Sequence, residues 1–221
     1  MKKPPDLSLY PVIDTSYVSP SQVEARLEEV LRGGASIIQL RDKIGTTRMI
    51  YELALRCREV TNLYQVPLIV NDRLDVALAV EADGVHLGQD DLPVRTARRI
   101  LGPHKIIGIS VINLEEAWQG QADGADYVSI SPVFKTVSKS DTREPAGLET
   151  LRQVKRELRI PVIAIGGIAS ENVSQVFSAG CDGVAVISAI FTQQDAFEAT
   201  RQLKTIITEC QRRPGNNGFS E

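Results

Sequence analysis

The chain has 221 residues, with 25 lysines and arginines against 28 acidic residues and a formal net charge of −3. That balance excludes a polycationic surface for nucleic acid, and no basic tract supplies one locally. No apolar run reaches the ~18 residues of a membrane span. Met1 to Pro5 carries two lysines with no apolar stretch behind them, so a soluble, cytoplasmic protein without a signal peptide is expected. Cys57, Cys181 and Cys210 are too widely spaced for a zinc site and read as core residues.

Short β-branched runs alternate with longer stretches of helical period, which predicts βα units and a parallel sheet. The first strand is expected over Ser8 to Ile13, then a helix over Pro20 to Arg32, capped by Ser19 and closed at Gly33 and Gly34. Strands over Ser36 to Leu40 and Pro67 to Val70 lead into helices over Thr47 to Tyr64 and Arg73 to Val80. Gly84 to Leu87 and Lys105 to Ile109 lead into Pro93 to Leu101 and Leu114 to Ala122. Tyr127 to Ile130, Pro161 to Ile165 and Gly183 to Ile187 lead into Gly147 to Leu158, Ser170 to Ser178 and Gln193 to Glu209. Eight such units predict an α/β protein, a single-domain (β/α)8 TIM barrel over residues 1–210. Residues 211–221, with Pro214, Gly215, Asn216, Asn217 and Gly218, have too little apolar surface to order and read as a loose tail.

A weak internal echo accompanies this alternation. Ala82-Asp83-Gly84-Val85, Ala125-Asp126-Tyr127-Val128 and Cys181-Asp182-Gly183-Val184 precede even-numbered strands, and Gly34-Ala35-Ser36-Ile37 resembles them. These aspartates sit at strand starts, where they are expected to satisfy turn amides rather than do chemistry.

The carboxyl ends of the strands hold the reactive residue types. Alternation points Gln39, Arg41 and Lys43 the same way, two cations and an amide toward one ligand, although Arg41 has Asp42 and Asp72 as alternative partners. Asn71-Asp72 suits either a cap before Arg73 or a ligand contact, and Gly88-Gln89-Asp90-Asp91 suits either a cap before Pro93 or the same site. Together, separated aspartates beside basic residues suit a magnesium ion that shares a diphosphate. Ser110 ends the fifth strand on the ligand-facing side. The loop from Ser131 to Glu144 is long, polar and rich in hydroxyls, as a phosphate-binding lid would be. Gly166-Gly167 and Ile187-Ser188 follow strands seven and eight, where bare backbone N–H groups commonly receive a phosphate. His86, His104, Tyr127 and Trp118 read as packing, surface, wall and core residues. The residues alone thus give a barrel with two anion pockets, suited to joining or cleaving phosphorylated molecules.

Several of these segments together resemble the thiamin phosphate synthase family. They are Gln39-x-Arg41-x-Lys43, Asn71-Asp72-Arg73, Gly84-Val85-His86-Leu87-Gly88-Gln89-x-Asp91, Gly108-x-Ser110, Pro132-Val133-Phe134-x-Thr136-x-Ser138-Lys139 and Ala164-Ile165-Gly166-Gly167-Ile168. The resemblance implies a transferase that joins hydroxymethylpyrimidine diphosphate to hydroxyethylthiazole phosphate, giving thiamin phosphate and diphosphate. It assigns Gln39, Arg41, Lys43, Asn71, Ser110 and Lys139 to the pyrimidine diphosphate, with Arg41, Lys43, Ser110 and Lys139 as the catalytic set. It assigns Asp72 and Asp91 to Mg2+, and Thr136, Ser138, Gly167, Ile187 and Ser188 to the thiazole phosphate. It also implies a homodimer. Ser131 stands where the family commonly has glycine, Lys135 where it often has proline, and Ser138 replaces a frequent threonine. A related thiazole tautomerase uses a histidine in the strand-six loop, which this chain lacks. A catalytically silent regulator that binds thiamin phosphates is the other alternative; it leaves the Asp72, Asp91, Arg41 and Lys43 cluster without a purpose.

Overall fold

Apolar alternation along each strand builds two concentric cores. On β1 (Leu9–Asp14), Tyr10 and Val12 point into the barrel, whereas Leu9 and Ile13 pack outward under the helices. The computed structural model describes residues 5–136 and 144–212. The strands that follow are β2 (Ile38–Arg41), β3 (Leu68–Asn71), β4 (Gly84–Leu87), β5 (Ile106–Val111), β6 (Tyr127–Ile130), β7 (Val162–Ile165) and β8 (Gly183–Val186). All pair in parallel with their chain neighbours, and β1 pairs with β8, so the sheet closes into a (β/α)8 barrel. The inner core is a small set of branched and aromatic residues, among them Ile37, Ile69, Ile106, Tyr127 and Ile163. The outer one joins strand faces to the helices.

Between the strands lie α1 (Val23–Arg32), α2 (Thr47–Tyr64), α3 (Leu74–Ala79), α4 (Val94–Leu101), α5 (Leu114–Ala122), α6 (Gly147–Glu157) and α7 (Val173–Ser178). After β8 come α8 (Ser188–Phe191) and α9 (Ala196–Arg212). Helix α1 begins three residues later than its pattern implies, and Ser19 does not cap it. The Ser19 hydroxyl bonds Gln22 Oε1 at 2.9 Å instead, and its carbonyl closes a turn with Gln22 N. Helix α7 begins at Val173 because Asn172 holds the preceding turn apart, accepting from Ala169 N at 2.9 Å and donating to Gly167 O at 2.8 Å. Asp195 accepts from Glu198 N at the start of α9, which runs through Arg212, two residues into the expected tail. The rest of that tail, 213–221, lies outside the described residues. Trp118, expected in the core, is 48% exposed on α5. The three cysteines are free and buried, and burial pushes the Cys57 thiol up to about 12, which keeps it protonated and unreactive.

The echo at the strand starts has a common geometry. Asp83 accepts from Leu68 N at 2.8 Å, Asp126 from Ile107 N at 2.8 Å and Asp182 from Val162 N at 2.7 Å, while Ser36 Oγ accepts from Leu9 N at 3.0 Å. In each case an even-numbered unit pins the start of the odd strand before it. Arg58, Arg98 and Lys155 pair with the three carboxylates at 2.5, 2.6 and 2.7 Å. Asp126→Ala leaves a half-buried strand amide without its acceptor and Arg98 without its carboxylate, and is expected to cost about 1–3 kcal/mol. Denaturant unfolding checks this, and an unchanged midpoint would show that water replaces the carboxylate.

Candidate active site

Parallel closure brings all eight strand ends to one rim, and a cavity of ≈480 Å³ opens there. Its polar wall comes from β2 to β5 and the turns after them: Gln39, Arg41, Lys43, Asn71, Asp72, His86, Gly88 to Asp91 and Ser110. Its apolar wall comes from β1, β7 and β8: Val12, Ile163, Ile165, Ala185 and Ile187. The alternation of Gln39, Arg41 and Lys43 therefore delivers all three side chains to one space, as expected. A lining that is charged on one side and dry on the other suits a ligand with an anionic group and a flat ring.

Arg41 and Lys43 each have a carboxylate. Arg41 Nη1 bonds Asp14 Oδ2, so its partner is neither Asp42 nor Asp72. Asp14 is 1% exposed and also accepts from Ser16 N at 2.9 Å and Ser16 Oγ at 2.6 Å, which satisfies the carboxylate and fixes the guanidinium above it. Lys43 Nζ bonds Asp72 Oδ2. Neither Asn71 nor Asp72 caps α3, and no side chain caps α4, so the helix-cap alternatives for both segments fall away. Asp72 has φ +60°, a left-handed conformation that aspartate tolerates better than most residues, with its N–H bonded to His86 O at 2.9 Å. Asp91 folds back to accept from Gly88 N at 2.7 Å.

These two turns bring Asp72 and Asp91 within hydrogen-bonding reach of each other. Burial, and then the Asp91 carboxyl beside it, raise the Asp72 pKa above the usual carboxylate range, against the lowering effect of Lys43. A close carboxylate pair is unfavourable by itself, and a cation between the two would relieve it.

A smaller cleft of ≈20 Å³ adjoins the cavity, sharing Ile165, Ala185 and Ile187 with it. Thr136, Gly166, Gly167 and Ser188 line it. Gly167 has φ +64°, and a Cβ there would meet Lys135 O at 2.6 Å, so the turn must be glycine for the strand-six loop to pass this close. Ser188 opens α8, a short helix with no periodic signal in the sequence. Ser138, Lys139 and half of the expected lid lie in 137–143, outside the described residues.

Sequence patterning missed Asp14 and the aromatic floor. His86, expected to be a packing residue, lines the cavity with both ring nitrogens engaged: Nδ1 lies 2.9 Å from Tyr127 Oη and Nε2 2.9 Å from Ser110 Oγ. The signal available was the inward alternation of Gly84, His86 and Gly88, which puts an imidazole inside the barrel.

Fold and rim together define a (β/α)8 barrel protein with a charged cavity at its carboxyl face, where barrels of this kind carry their active sites. The pattern of the family described as thiamine monophosphate synthase matches residues 9–190. A thiamine-phosphate synthase of Chloroflexus aurantiacus is 46% identical over 206 residues, 93% of this chain and 95% of that one. One of Clostridium novyi is 45% identical over 198 residues, 90% of this chain and 97% of that one. The structure of a thiamine phosphate pyrophosphorylase from Pyrococcus furiosus superposes with a TM-score of 0.84 at 41% identity, covering 93% of this chain and 97% of that one. The chain belongs to the thiamine monophosphate synthase family, transferases of thiamine biosynthesis.

The raised Asp72 carboxyl gives a stability test. The folded chain holds that proton more tightly than the unfolded chain, so the group's contribution to stability falls as pH rises from the ordinary carboxylate value through the raised one. Asp91→Asn keeps an acceptor for Gly88 N and removes the repulsion. In metal-free buffer the variant is expected to gain stability over the wild type, by a margin that widens from acidic to neutral pH. Unfolding midpoints measured across that range check it, and a margin independent of pH would contradict it.

Proposed function

We propose that the chain joins hydroxymethylpyrimidine diphosphate to hydroxyethylthiazole phosphate, releasing thiamin phosphate and diphosphate. One observation carries the reading: the glycine-lined cleft opens on the charged cavity and shares Ile165, Ala185 and Ile187 with it, so a molecule anchored by its phosphate at the cleft lies with its ring in the cavity, beside the diphosphate. Family membership supports the same chemistry.

Arg41 and Lys43, with Lys139, hold the diphosphate and stabilise the negative charge that builds as it departs. Gln39, Asn71 and Ser110 hold the pyrimidine, whose amino group helps the ring delocalise the positive methylene left behind. Thr136, Ser138, Gly167, Ile187 and Ser188 hold the thiazole phosphate. Anchored there, the thiazole nitrogen attacks that carbon, and orientation supplies much of the acceleration. The apolar wall keeps water from competing for the same carbon. No protein nucleophile and no general base is required.

Asp72 and Asp91 would hold a magnesium ion. Among the described residues no group of three or more His, Cys, Asp or Glu could hold a metal, so two carboxylates suit an ion that completes its shell with water and phosphate oxygens. When bound there, magnesium supplies countercharge for the diphosphate. The same reading takes the cytoplasm as its location and a homodimer as its assembly, which sedimentation of the purified chain tests.

The decisive experiment mixes the two substrates with the chain and magnesium and follows thiamin phosphate, with EDTA in a parallel sample. Product that forms only with magnesium is expected. Thiazole isomerisation that survives EDTA would favour the tautomerase alternative, and binding of thiamin phosphate without turnover would favour the regulator. Asp72→Ala and Asp91→Ala should each lower turnover by roughly 10²-fold or more and raise the magnesium requirement. Unchanged magnesium dependence in both removes the metal assignment. Gly167→Ala should raise KM for the thiazole phosphate and leave that for the pyrimidine near its wild-type value; the opposite split would exchange the two pockets.

A further inference from the structure

We propose that His86 is a positioning residue that fixes the hydrogen-bond polarity of the cavity, so that Ser110 presents a donor and Gln39 presents an acceptor to the bound ring. The inference rests on the pyrimidine reading above and adds to it what discriminates one pyrimidine from another.

A continuous chain of hydrogen bonds crosses the barrel beneath the cavity. Gln39 Nε2 donates to Tyr10 Oη at 3.0 Å, Tyr10 Oη lies 3.0 Å from Tyr127 Oη, Tyr127 Oη 2.9 Å from His86 Nδ1, and His86 Nε2 2.9 Å from Ser110 Oγ. An amide nitrogen only donates, so Tyr10 accepts there, and its own proton, buried with no water to turn to, is paired only if it goes to Tyr127. Tyr127 therefore sends its proton to His86 Nδ1. That nitrogen is then an acceptor, and the imidazole proton sits on Nε2, aimed at Ser110 Oγ. Ser110 accepts this bond, and its remaining proton turns to the cavity that Ser110 lines. At the other end, the bond to Tyr10 commits one N–H of Gln39, and in the proposed arrangement Oε1 of this cavity-lining side chain accepts from the ligand.

The chain is built in, not incidental. Tyr10 and Tyr127 are fully buried, and burial pushes both phenols well up, so each keeps the proton it must donate. The His86 and Tyr127 rings lie 27° apart with centroids at 5.6 Å. Room for them exists only because residue 108 is glycine: a Cβ there would sit 2.1 Å from Tyr127 Cζ and 2.6 Å from His86 Nδ1. That gives a physical reason for glycine two positions before Ser110.

A donor and an acceptor so fixed match an aminopyrimidine, whose amino group donates beside a ring nitrogen that accepts. They mismatch the oxo analogue, which carries a carbonyl and a ring N–H along the same edge.

The test labels histidine with ¹⁵N and reads the tautomer of His86, one of two histidines in the chain, identified by loss of its signals in His86→Gln. A neutral Nε2–H ring at pH 7 is expected in the wild type, and a shift of the Nδ1 resonance in Tyr127→Phe. An Nδ1–H or doubly protonated ring overturns the proposal. In parallel, calorimetry compares the amino and oxo pyrimidine diphosphates. The wild type should prefer the amino form by about 10²-fold or more, as a site built to bond a ligand rejects the mismatched analogue. Tyr127→Phe should lose at least about tenfold of that preference, a change that simple loosening of the barrel would not produce. Equal preference in variant and wild type overturns the proposal. Should Tyr127→Phe fail to fold, Tyr10→Phe breaks the chain one bond earlier and is read the same way. The tautomer and the binding preference need no turnover, so failure to form thiamin phosphate sinks the function without touching this inference.

Discussion

Charge compensation across the strand ends is the constraint on which the site depends. A parallel barrel delivers every strand terminus to one rim, and that rim can collect cations only if each is answered by a carboxylate. Arg41 is answered by Asp14, itself buried and bonded to Ser16, so the guanidinium is held before any ligand arrives. Lys43 is answered by Asp72 but remains half exposed, so its pairing is the weaker one and the easier to exchange. Asp72 carries the imbalance: one cation and one carboxylate compete for it, and burial with Asp91 prevails. Asp72 and Asp91 therefore form a close carboxylate pair that Lys43 does not fully offset.

The same residue type does opposite work at the two ends of the barrel. At the strand starts, Asp83, Asp126 and Asp182 each take an amide from one strand and a cation from a helix, and such charge-assisted bonds stabilise the fold. At the strand ends, Asp72 and Asp91 face each other, and that pairing weakens it. Stability made at one end offsets a strained arrangement at the other, the usual relation between scaffold and active site.

Much of this was legible in the sequence because it is local. Alternation fixed which face of β2 carries Gln39, Arg41 and Lys43, and the boundaries of β4, β6, α2 and α5 coincide with their patterns. The echo before even strands was visible as a repeat, and its amide-pinning role follows from position alone. What escaped depends on tertiary neighbours. Asp14 is separated from Arg41 by a whole βα unit, and nothing in its own surroundings marks it as that partner. The imbalance at Asp72 is a property of two turns meeting. Ser19 looked like a cap until Gln22 took its hydroxyl, and α8 is too short to show a period.

His86 shows most clearly where patterning stops. A histidine inside an apolar strand is read by its burial, and it is indeed buried; what burial does not reveal is the partner on each nitrogen. Beneath a rim where charge is allowed because ions answer one another, the barrel floor admits only neutral polar groups, since an unanswered charge there has no water to turn to. Two phenols, an amide and an imidazole meet that condition along one line of hydrogen bonds that starts from the Gln39 amide N–H. Such a line has a direction, and its ends cannot be set independently. On the proposed reading, Gln39 on β2 and Ser110 on β5, which share no ladder, present complementary groups to one ring, while the charged residues above them meet its phosphates. On that reading, selection of the ring and departure of the diphosphate fall to separate layers of the same barrel.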